Sequence, residues 1–169
     1  MHNMRMKQRN TSRFGNQAVA QQPLTPAKIY EEHSLKELRN AGFRITMPRV
    51  QVIRALADTD VALSAYAIHD KIISTGGKID VVSVYRILST LQEVGLIHHI
   101  GVVDGYFPCR IGNCADRRSE VVVEETTGTV MELPMPKSII QAIEDQARAA
   151  GFETTGIKVE ITGREVAGK

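Results

Sequence analysis

The chain has 169 residues, 43% of them hydrophobic, and a formal net charge of +2 at pH 7. This length suits one domain or two small ones, and the apolar content is enough to form a buried core. No apolar run approaches the length of a membrane span, and the N-terminus lacks the hydrophobic segment of a secretory signal. We therefore expect a soluble cytoplasmic protein with no membrane contact. Two cysteines, Cys109 and Cys114, are too few for an extracellular disulfide framework.

Charge is divided unevenly along the chain. Residues 1–100 carry 13 Lys and Arg against 8 Asp and Glu, a net of +5, whereas residues 101–169 carry 8 against 11, a net of −3. This asymmetry favours a nucleic-acid-binding front half joined to a different unit. Residues 1–27 contain four basic residues and no acidic one, which predicts a disordered basic arm. The arm is either a solvated tail or an extra source of contacts to DNA phosphates.

Two helices are predicted between residues 27 and 57. The first carries a patchy apolar face formed by Ile29, Leu35 and Leu38. The second begins at Thr46-Met47-Pro48, because proline is favoured in the first turn of a helix. The side chains that it turns inward are Val50, Ile53, Leu56 and Ala57. Arg44 and Arg49 lie beside the start of this second helix, where they can reach a phosphate.

The next two segments have the pattern of a helix-turn-helix. Ser64 can cap a short helix over residues 65–73, which a glycine pair ends. A second helix follows the N-cap residue Asp80, and its apolar stripe consists of Val84, Ile87, Leu88, Leu91 and Val94. The polar side chains off that stripe are Ser83, Tyr85 and Arg86. Facing outward near a helix N-terminus, they suit contacts with phosphates and base edges in a major groove.

A β-hairpin is predicted directly after this helix. Residues 96–102 and Tyr106-Phe107 are β-prone, and Asp104-Gly105 between them is a strong hairpin signal because both turn residues can adopt positive φ. A hairpin that follows a recognition helix is the wing of a winged-helix domain. The sequence therefore predicts a winged-helix DNA-binding domain over residues 28–108.

Residues 109–169 predict a smaller second unit. Residues 120–124 and 129–133 are β-prone, residues 136–150 form a helix, and residues 157–161 alternate apolar and charged side chains as a half-buried strand. The apolar face of the helix consists of Ile139, Ile140, Ile143 and Ala147. The predicted fold class is thus α+β, an N-terminal winged helix-turn-helix domain followed by a small α/β dimerisation domain with three strands and one helix.

This second unit is thin for an independent core. Three strands and one helix bury little apolar surface, so we expect the unit to pair with a second copy of the chain. A two-fold homodimer also presents two recognition helices to a palindromic operator in double-stranded DNA.

Two motifs resemble those of the ferric-uptake-regulator (Fur) family. The segment from Ala41 to Arg49 resembles its "GxRxTxxR" signature, and the segment from Val82 to Leu88 resembles its "xTVYRxL" recognition helix. The resemblance implies a dimeric, metal-responsive repressor that binds AT-rich palindromes. By the same match, Tyr85 and Arg86 contact bases, while Arg49 and Ser83 contact the DNA backbone.

The sensory metal site of the zinc-responsive (Zur) branch is matched in part. That site joins a histidine after the recognition helix, a cysteine after the wing, and a histidine and a glutamate from the second domain. The matching ligands in this chain are His98, Cys109 and Glu132. Arg117, which cannot ligate a metal, stands at the remaining histidine position, and Cys114 or Asp116 is close enough in sequence to substitute. Such a set suits tetrahedral zinc.

Two other metal sites of the family are not matched. The histidine that iron- and peroxide-sensing relatives carry before the helix-turn-helix is not evident in residues 58–63, which points away from iron. Glu124 and Thr127 stand where most relatives hold a structural zinc with a CxxC motif. A four-thiolate structural site is therefore predicted to be absent, and packing must supply the folding energy that this zinc gives its relatives.

The sequence favours a zinc-responsive repressor over two alternatives. One is a winged-helix factor of the same fold that binds DNA without metal control, and the other uses Cys109 and Cys114 as a thiol switch. An enzyme is not expected, because the chain has no phosphate-binding loop, no nucleophile-base-acid spacing and no HExxH pattern.

Overall fold

The computed structural model describes residues 24–111 and 118–166. In chain order its elements are α1 (Pro26–Asn40), α2 (Met47–Ala57), α3 (Ala65–Ser74), α4 (Val81–Glu93), β1 (Ile97–Ile100), a short 3-10 helix (Gly101–Val103), β2 (Gly105–Pro108), β3 (Arg118–Glu124), β4 (Val130–Glu132), α5 (Lys137–Ala149) and β5 (Ile157–Gly163). The predicted α+β class is confirmed. Most of the predicted arm lies outside the described residues, and α1 already begins at Pro26, so that it includes the last two residues of the predicted arm.

The four front helices pack around one apolar core. Its fully buried large side chains include Leu38, Ile53, Leu56, Ile68, Leu88 and Leu91. In α1 the apolar face differs from the prediction, because Ile29 is 54% exposed. The predicted Leu38 is fully buried and Leu35 packs against the core. Tyr30 and Ser34 complete the buried face, since their four-residue spacing with Leu38 places all three on one side of the helix.

The two helices of the helix-turn-helix begin and end where the sequence predicts. The Ser64 hydroxyl accepts a hydrogen bond from the Ala67 N–H at 3.1 Å, and the Asp80 carboxylate accepts one from the Ser83 N–H at 2.8 Å. Each satisfies an N–H group that has no partner within its helix. Gly95 follows α4 with a φ of +79°, a left-handed conformation that glycine adopts without a Cβ clash.

The predicted wing is present, but its turn is not the two-residue Asp-Gly turn. Strands β1 and β2 pair from Ile97 with Pro108 to Ile100 with Gly105, and the 3-10 helix occupies most of the connection. Asp104 alone among the non-glycine residues described here has positive φ, at +45°. Gly105 lies within β2 and allows close approach to Ala62, because a Cβ there would lie 2.8 Å from the Ala62 Cβ.

The back unit is a three-stranded sheet with one helix. The strand order is β4-β3-β5, with β4 antiparallel to β3 and β5 parallel to it, as a crossover through α5 requires. Of the predicted apolar face of α5, Ile140 is buried whereas Ile139 and Ile143 are exposed. The inner face of the sheet packs on the wing, and the shared cluster consists of Ile100, Phe107, Val121, Val123 and Val130.

Polar contacts fix the back sheet against the wing and against the connection between α2 and α3. The Glu160 carboxylate on β5 accepts hydrogen bonds from the Gly101 and Val102 N–H groups at 2.9 and 3.0 Å. At the other edge of the sheet, the Val130 N–H donates to the Asp60 carbonyl at 2.8 Å. Among the described residues, no helix has the length and apolar content that crossing a bilayer requires.

Candidate metal centre and nucleic-acid surface

Three side chains with metal-ligating atoms meet where the wing contacts the back sheet. His98 lies on β1, Cys109 follows β2, and Glu132 ends β4. Their ligand atoms all lie within 4.8 Å of one another. The hairpin register opposes His98 to Phe107, and a hydrogen bond from the Cys109 N–H to the Leu96 carbonyl at 3.0 Å extends the pairing to the cysteine.

This cluster is withdrawn from solvent and internally bonded. The His98 and Glu132 side chains are 5% and 8% exposed, and His98 Nε2 lies 2.8 Å from Glu132 Oε1. The Arg110 N–H donates to both carboxylate oxygens of Glu132, at 3.1 and 3.0 Å. The Glu132 carboxylate is thus held as an anion beside the His98 imidazole. Carboxylate oxygen and imidazole nitrogen are both ligands that zinc takes in proteins.

Cys109 is buried, with 2% of the residue exposed. Zinc binds cysteine as the thiolate, so Cys109 serves as a ligand only in its reduced, deprotonated form. The predicted fourth ligand, Cys114 or Asp116, and Arg117 lie outside the described residues.

A buried tyrosine supports the strand that carries His98. The Tyr30 hydroxyl on α1 donates to the Leu96 carbonyl at 3.0 Å, the same carbonyl that receives the Cys109 N–H. Burial raises the pKa of the Tyr30 phenol well above its ordinary value, so it stays a neutral donor. Sequence reasoning missed this contact because the two residues are 66 positions apart.

The outward face of α4 carries two of the predicted DNA contacts. Tyr85 and Arg86 are exposed, whereas the stripe beneath them is buried. The Ser83 hydroxyl instead donates to the Asp80 carboxylate at 2.6 Å, and this bond is the largest cause of the lowered pKa of Asp80. Ser83 therefore contributes to the cap of the helix, and its backbone remains at the N-terminal turn that faces outward.

The predicted arginines lie at the start of α2. Arg49 donates from Nη1 to the Arg44 carbonyl, and its guanidinium carbon lies 5.3 Å from the centre of the Phe43 ring. These contacts order the Arg49 side chain on the surface, while Arg44 is exposed beside it.

Tyr66 is a surface aromatic that the sequence reasoning did not single out. It lies on α3, is 62% exposed, and meets Tyr85 edge to face with 6.4 Å between ring centres. An edge-to-face aromatic pair on two helices of a helix-turn-helix forms a continuous apolar surface beside Arg86. The available signal was its position between Ala65 and Ile68, off the apolar stripe of α3.

The turn that replaces the CxxC motif is closed by a carboxylate. Glu124 accepts hydrogen bonds from the Thr126 and Thr127 N–H groups, the former at 2.9 Å. Hydrogen bonding from Thr127 and Thr126 lowers the Glu124 pKa to about 2. A charge-assisted turn therefore occupies these two positions, and it connects β3 to β4 without a metal ligand from either residue.

Comparisons with known proteins agree with this architecture. The ferric uptake regulation protein of Brucella abortus is 30% identical over 126 residues, which span 75% of this chain and 87% of that protein. A solved zinc uptake regulator complexed with zinc and DNA is 23% identical, with a TM-score of 0.77 over 85% of this chain and 95% of its own. The crystal structure of holo XcZur is also 23% identical, with a TM-score of 0.72 over 80% and 94%.

The family model described as the ferric uptake regulator family matches residues 40–162. The match begins before α2 and ends within β5, so it includes the helix-turn-helix, the wing and the back sheet. Members of this family are transcriptional regulators. The chain therefore belongs to the ferric uptake regulator family.

Proposed function

We propose that this protein is a cytoplasmic, zinc-responsive repressor that binds AT-rich palindromic operators as a homodimer. The observation that carries the proposal is the meeting of His98, Cys109 and Glu132, whose ligand atoms lie within 4.8 Å of one another. Nitrogen, thiolate and carboxylate donors are a set that suits four-coordinate zinc. We assign the fourth position to Cys114 or Asp116.

The placement of these ligands supports metal control of DNA binding. His98 and Cys109 belong to the wing, whereas Glu132 belongs to the back sheet. Binding zinc through all three fixes the wing against the sheet and so sets the positions of the two recognition helices in a dimer. A coupling of about 3 kcal/mol between metal and DNA raises operator affinity roughly 150-fold, which is enough for a switch.

For the DNA surface we propose two kinds of contact. Tyr85 and Arg86 read base edges from the exposed face of α4, with Tyr66 extending the apolar surface beside them. The N-terminal turn of α4 at Ser83, together with Arg44 and Arg49, contacts phosphates.

We propose that the back unit pairs through its exposed apolar surface. On α5, Ile139 and Ile143 are exposed beside the buried Ile140. Other exposed apolar side chains of the same unit are Met131, Leu133 and Phe152. Apolar side chains grouped on an amphipathic helix are typical of a surface that another protein covers. A second copy of the chain provides the same surface by two-fold symmetry.

Zinc binding is tested by elemental analysis after purification under reducing conditions, zinc loading and desalting. We expect about one zinc per protomer, lost in His98→Ala and in Cys109→Ser. His99→Ala is the matched control, because this neighbouring imidazole on β1 bonds Asp104 at 3.1 Å rather than the cluster. Absence of retained zinc in the wild-type protein contradicts the metal-responsive proposal.

DNA reading is tested by selecting duplexes from a random library with the zinc-loaded protein. We expect palindromic, AT-rich sequences, and a loss of roughly 5- to 150-fold in affinity for Arg86→Ala with relaxed preference at one base position. Arg148→Ala removes the same charge from α5, where Arg148 pairs with Asp145 at 3.0 Å, and serves as the control. Equal losses of DNA affinity in both variants would mean that Arg86 contributes only a non-specific positive charge.

The presence of two cysteines close together in sequence, Cys109 and Cys114, supports a second candidate, a thiol-responsive factor of the same fold. Oxidation of Cys109 would withhold the thiolate that zinc requires. His98→Ala separates the two candidates, because only zinc control depends on the imidazole. Retention of redox-dependent DNA binding in the zinc-free His98→Ala protein would favour thiol control.

A further inference from the structure

Arg110 takes part in the candidate metal centre through its backbone. It follows Cys109 directly, and its N–H donates to Glu132 Oε1 and Oε2 at 3.1 and 3.0 Å. Glu132 also bonds His98 at 2.8 Å. The position of the Arg110 main chain is therefore tied to the carboxylate that we assign to zinc.

The side chain of Arg110 extends to the end of α2. Nη2 donates to the Thr59 carbonyl at 2.6 Å and to the Ala57 carbonyl at 3.4 Å, while Nη1 lies 3.3 Å from an Asp60 carboxylate oxygen. Ala57 is the last residue of α2, where carbonyl groups lack partners within the helix and a cation is favoured. The guanidinium carbon also lies 5.3 Å from the centre of the Phe107 ring, and 32% of the side chain is exposed.

The segment that Arg110 holds leads directly into the helix-turn-helix. Residues 58–64 connect α2 to α3, and they also contact the back sheet through the bond from the Val130 N–H to the Asp60 carbonyl at 2.8 Å. This connection is thus fixed on one side by β4 and on the other by the arginine beside the metal centre. A displacement of Glu132 or of residue 110 changes the restraint on the start of α3.

We infer that Arg110 is the positioning residue that couples the candidate metal centre to the helix-turn-helix. The inference rests on the proposed zinc response, and it concerns the transmission of that response rather than zinc binding itself. Substitution of the Arg110 side chain leaves in place the backbone N–H that donates to the Glu132 carboxylate. Metal affinity and DNA response therefore become separable at this residue.

The chemistry of the contacts explains why an arginine is required. A planar guanidinium presents five donors in a fixed arrangement, and here it contacts two carbonyls and a carboxylate within residues 57–60. A lysine ammonium keeps the charge but holds fewer of these acceptors in a fixed orientation. A glutamine amide loses the charge and most of the reach.

The experiment compares zinc-loaded and chelator-treated protein on one duplex, selected from a random library by zinc-loaded wild-type protein. For the wild type we expect zinc to raise affinity about 5- to 150-fold. In Arg110→Gln we expect that ratio to approach one, with zinc affinity, measured by chelator competition, changed by less than about threefold. Arg110→Lys gives an intermediate ratio. Arg164→Gln, which removes an exposed guanidinium paired with Glu125 at 3.1 Å, keeps the wild-type ratio.

The outcomes separate this inference from the function on which it rests. A wild-type protein without a zinc-dependent ratio overturns both. A normal wild-type ratio that Arg110→Gln preserves overturns the role of Arg110 alone, as does a parallel loss of zinc affinity, which would place the side chain in the metal site itself. If thermal unfolding shows that Arg110→Gln does not fold, the ratio is read from Arg110→Lys, and a wild-type value there overturns the inference.

Discussion

The front helices and the back sheet differ in the source of their buried surface. The front core is formed almost entirely by side chains of α1 to α4, which pack on one another. The back cluster contains three valines of its own, and its two largest members, Ile100 and Phe107, come from the wing. The back sheet therefore relies on another part of the chain for its interior, whereas the front helices do not.

The exposed surfaces of the two regions show the same contrast. On the front, apart from the Tyr66–Tyr85 pair, the exposed apolar side chains are distributed over several helices, as is usual for a protein surface. On the back, α5 buries Ile140 and leaves the other two isoleucines of its apolar stripe, Ile139 and Ile143, exposed. We infer that the back unit is completed by two partners, the wing on one side and a second copy of the chain on the other.

The largest expected effect comes from Phe107→Ala, which removes the largest side chain of the back cluster. Truncation of a buried phenylalanine costs about 3–5 kcal/mol. We expect the amides of β3 and β5 to lose protection in hydrogen exchange while those of α2 and α4 keep it. Leu88→Ala, a fully buried truncation in the front core, gives the opposite pattern. Loss of protection in α4 first, in the Phe107 variant, would contradict the dependence of the sheet on the wing.

A somewhat smaller effect on the free energy is expected from Ile143→Asp on α5. In a two-fold interface each substitution occurs twice. Because Ile143 is 40% exposed, only part of the value for full burial is lost at each site, and a total of about 2.8 kcal/mol weakens association roughly 100-fold. Sedimentation velocity measures the shift from dimer to monomer. Ile29→Asp is the matched control, because Ile29 is a similarly exposed isoleucine on α1. Dissociation by both variants, or by neither, would remove the proposed role of α5.

A test within the wing is Gly105→Ala. The added Cβ would lie 2.8 Å from the Ala62 Cβ and 3.1 Å from the Ala62 carbonyl carbon, and neither atom can rotate away. We expect a loss of about 1–3 kcal/mol in the free energy of unfolding, measured by urea denaturation. Gly163→Ala is the control, since nothing lies within 4 Å of a Cβ at that position. Equal stability of the two variants would show that the wing can move away from Ala62.

The helices were predictable because their signals are local. Asp80 and Ser64 cap helices through residues three positions away, and the stripe of α4 follows from the helical period. For the candidate metal centre, the resemblance to the Fur family selected His98, Cys109 and Glu132, and the fold places their ligand atoms together. Local patterns were therefore enough to predict the helices, whereas the members of the candidate metal centre were selected by the family motif.

The failures lie where distant contacts decide the conformation. An isolated Asp-Gly pair favours a two-residue turn, but Glu160, nearly 60 residues further on, holds the wing connection as a 3-10 helix through the Gly101 and Val102 N–H groups. Ile29 matched the helical period but lies on the side of α1 that no element of the described residues covers. The contacts of Arg110 with residues 57–60 leave no pattern in the sequence, because they join segments about 50 residues apart.

The smallest effect, a pH dependence, concerns the Glu160 contact that joins β5 to the wing. Burial raises the pKa of Glu160, but hydrogen bonds from the Gly101 and Val102 N–H groups and from Lys158 outweigh it and leave the pKa below its ordinary value of 4.5. A carboxyl group with a depressed folded pKa stabilises the protein above its unfolded pKa, and this contribution is lost as the pH falls through the lower folded value. Acidification from pH 5 to pH 3 therefore weakens the contact.

We expect Glu160→Gln to be less stable than the wild type by about 1 kcal/mol at pH 7, because the amide oxygen is a weaker acceptor than the carboxylate. Urea denaturation between about pH 3 and pH 7 then shows a shallower decline for the variant, so that the two curves converge in acid. Glu32→Gln, an exposed change on α1, is the control and runs parallel to the wild type. Parallel curves for Glu160→Gln would mean that the carboxylate charge does not hold the sheet to the wing, and that the shared apolar cluster and the remaining hydrogen bonds join the two regions.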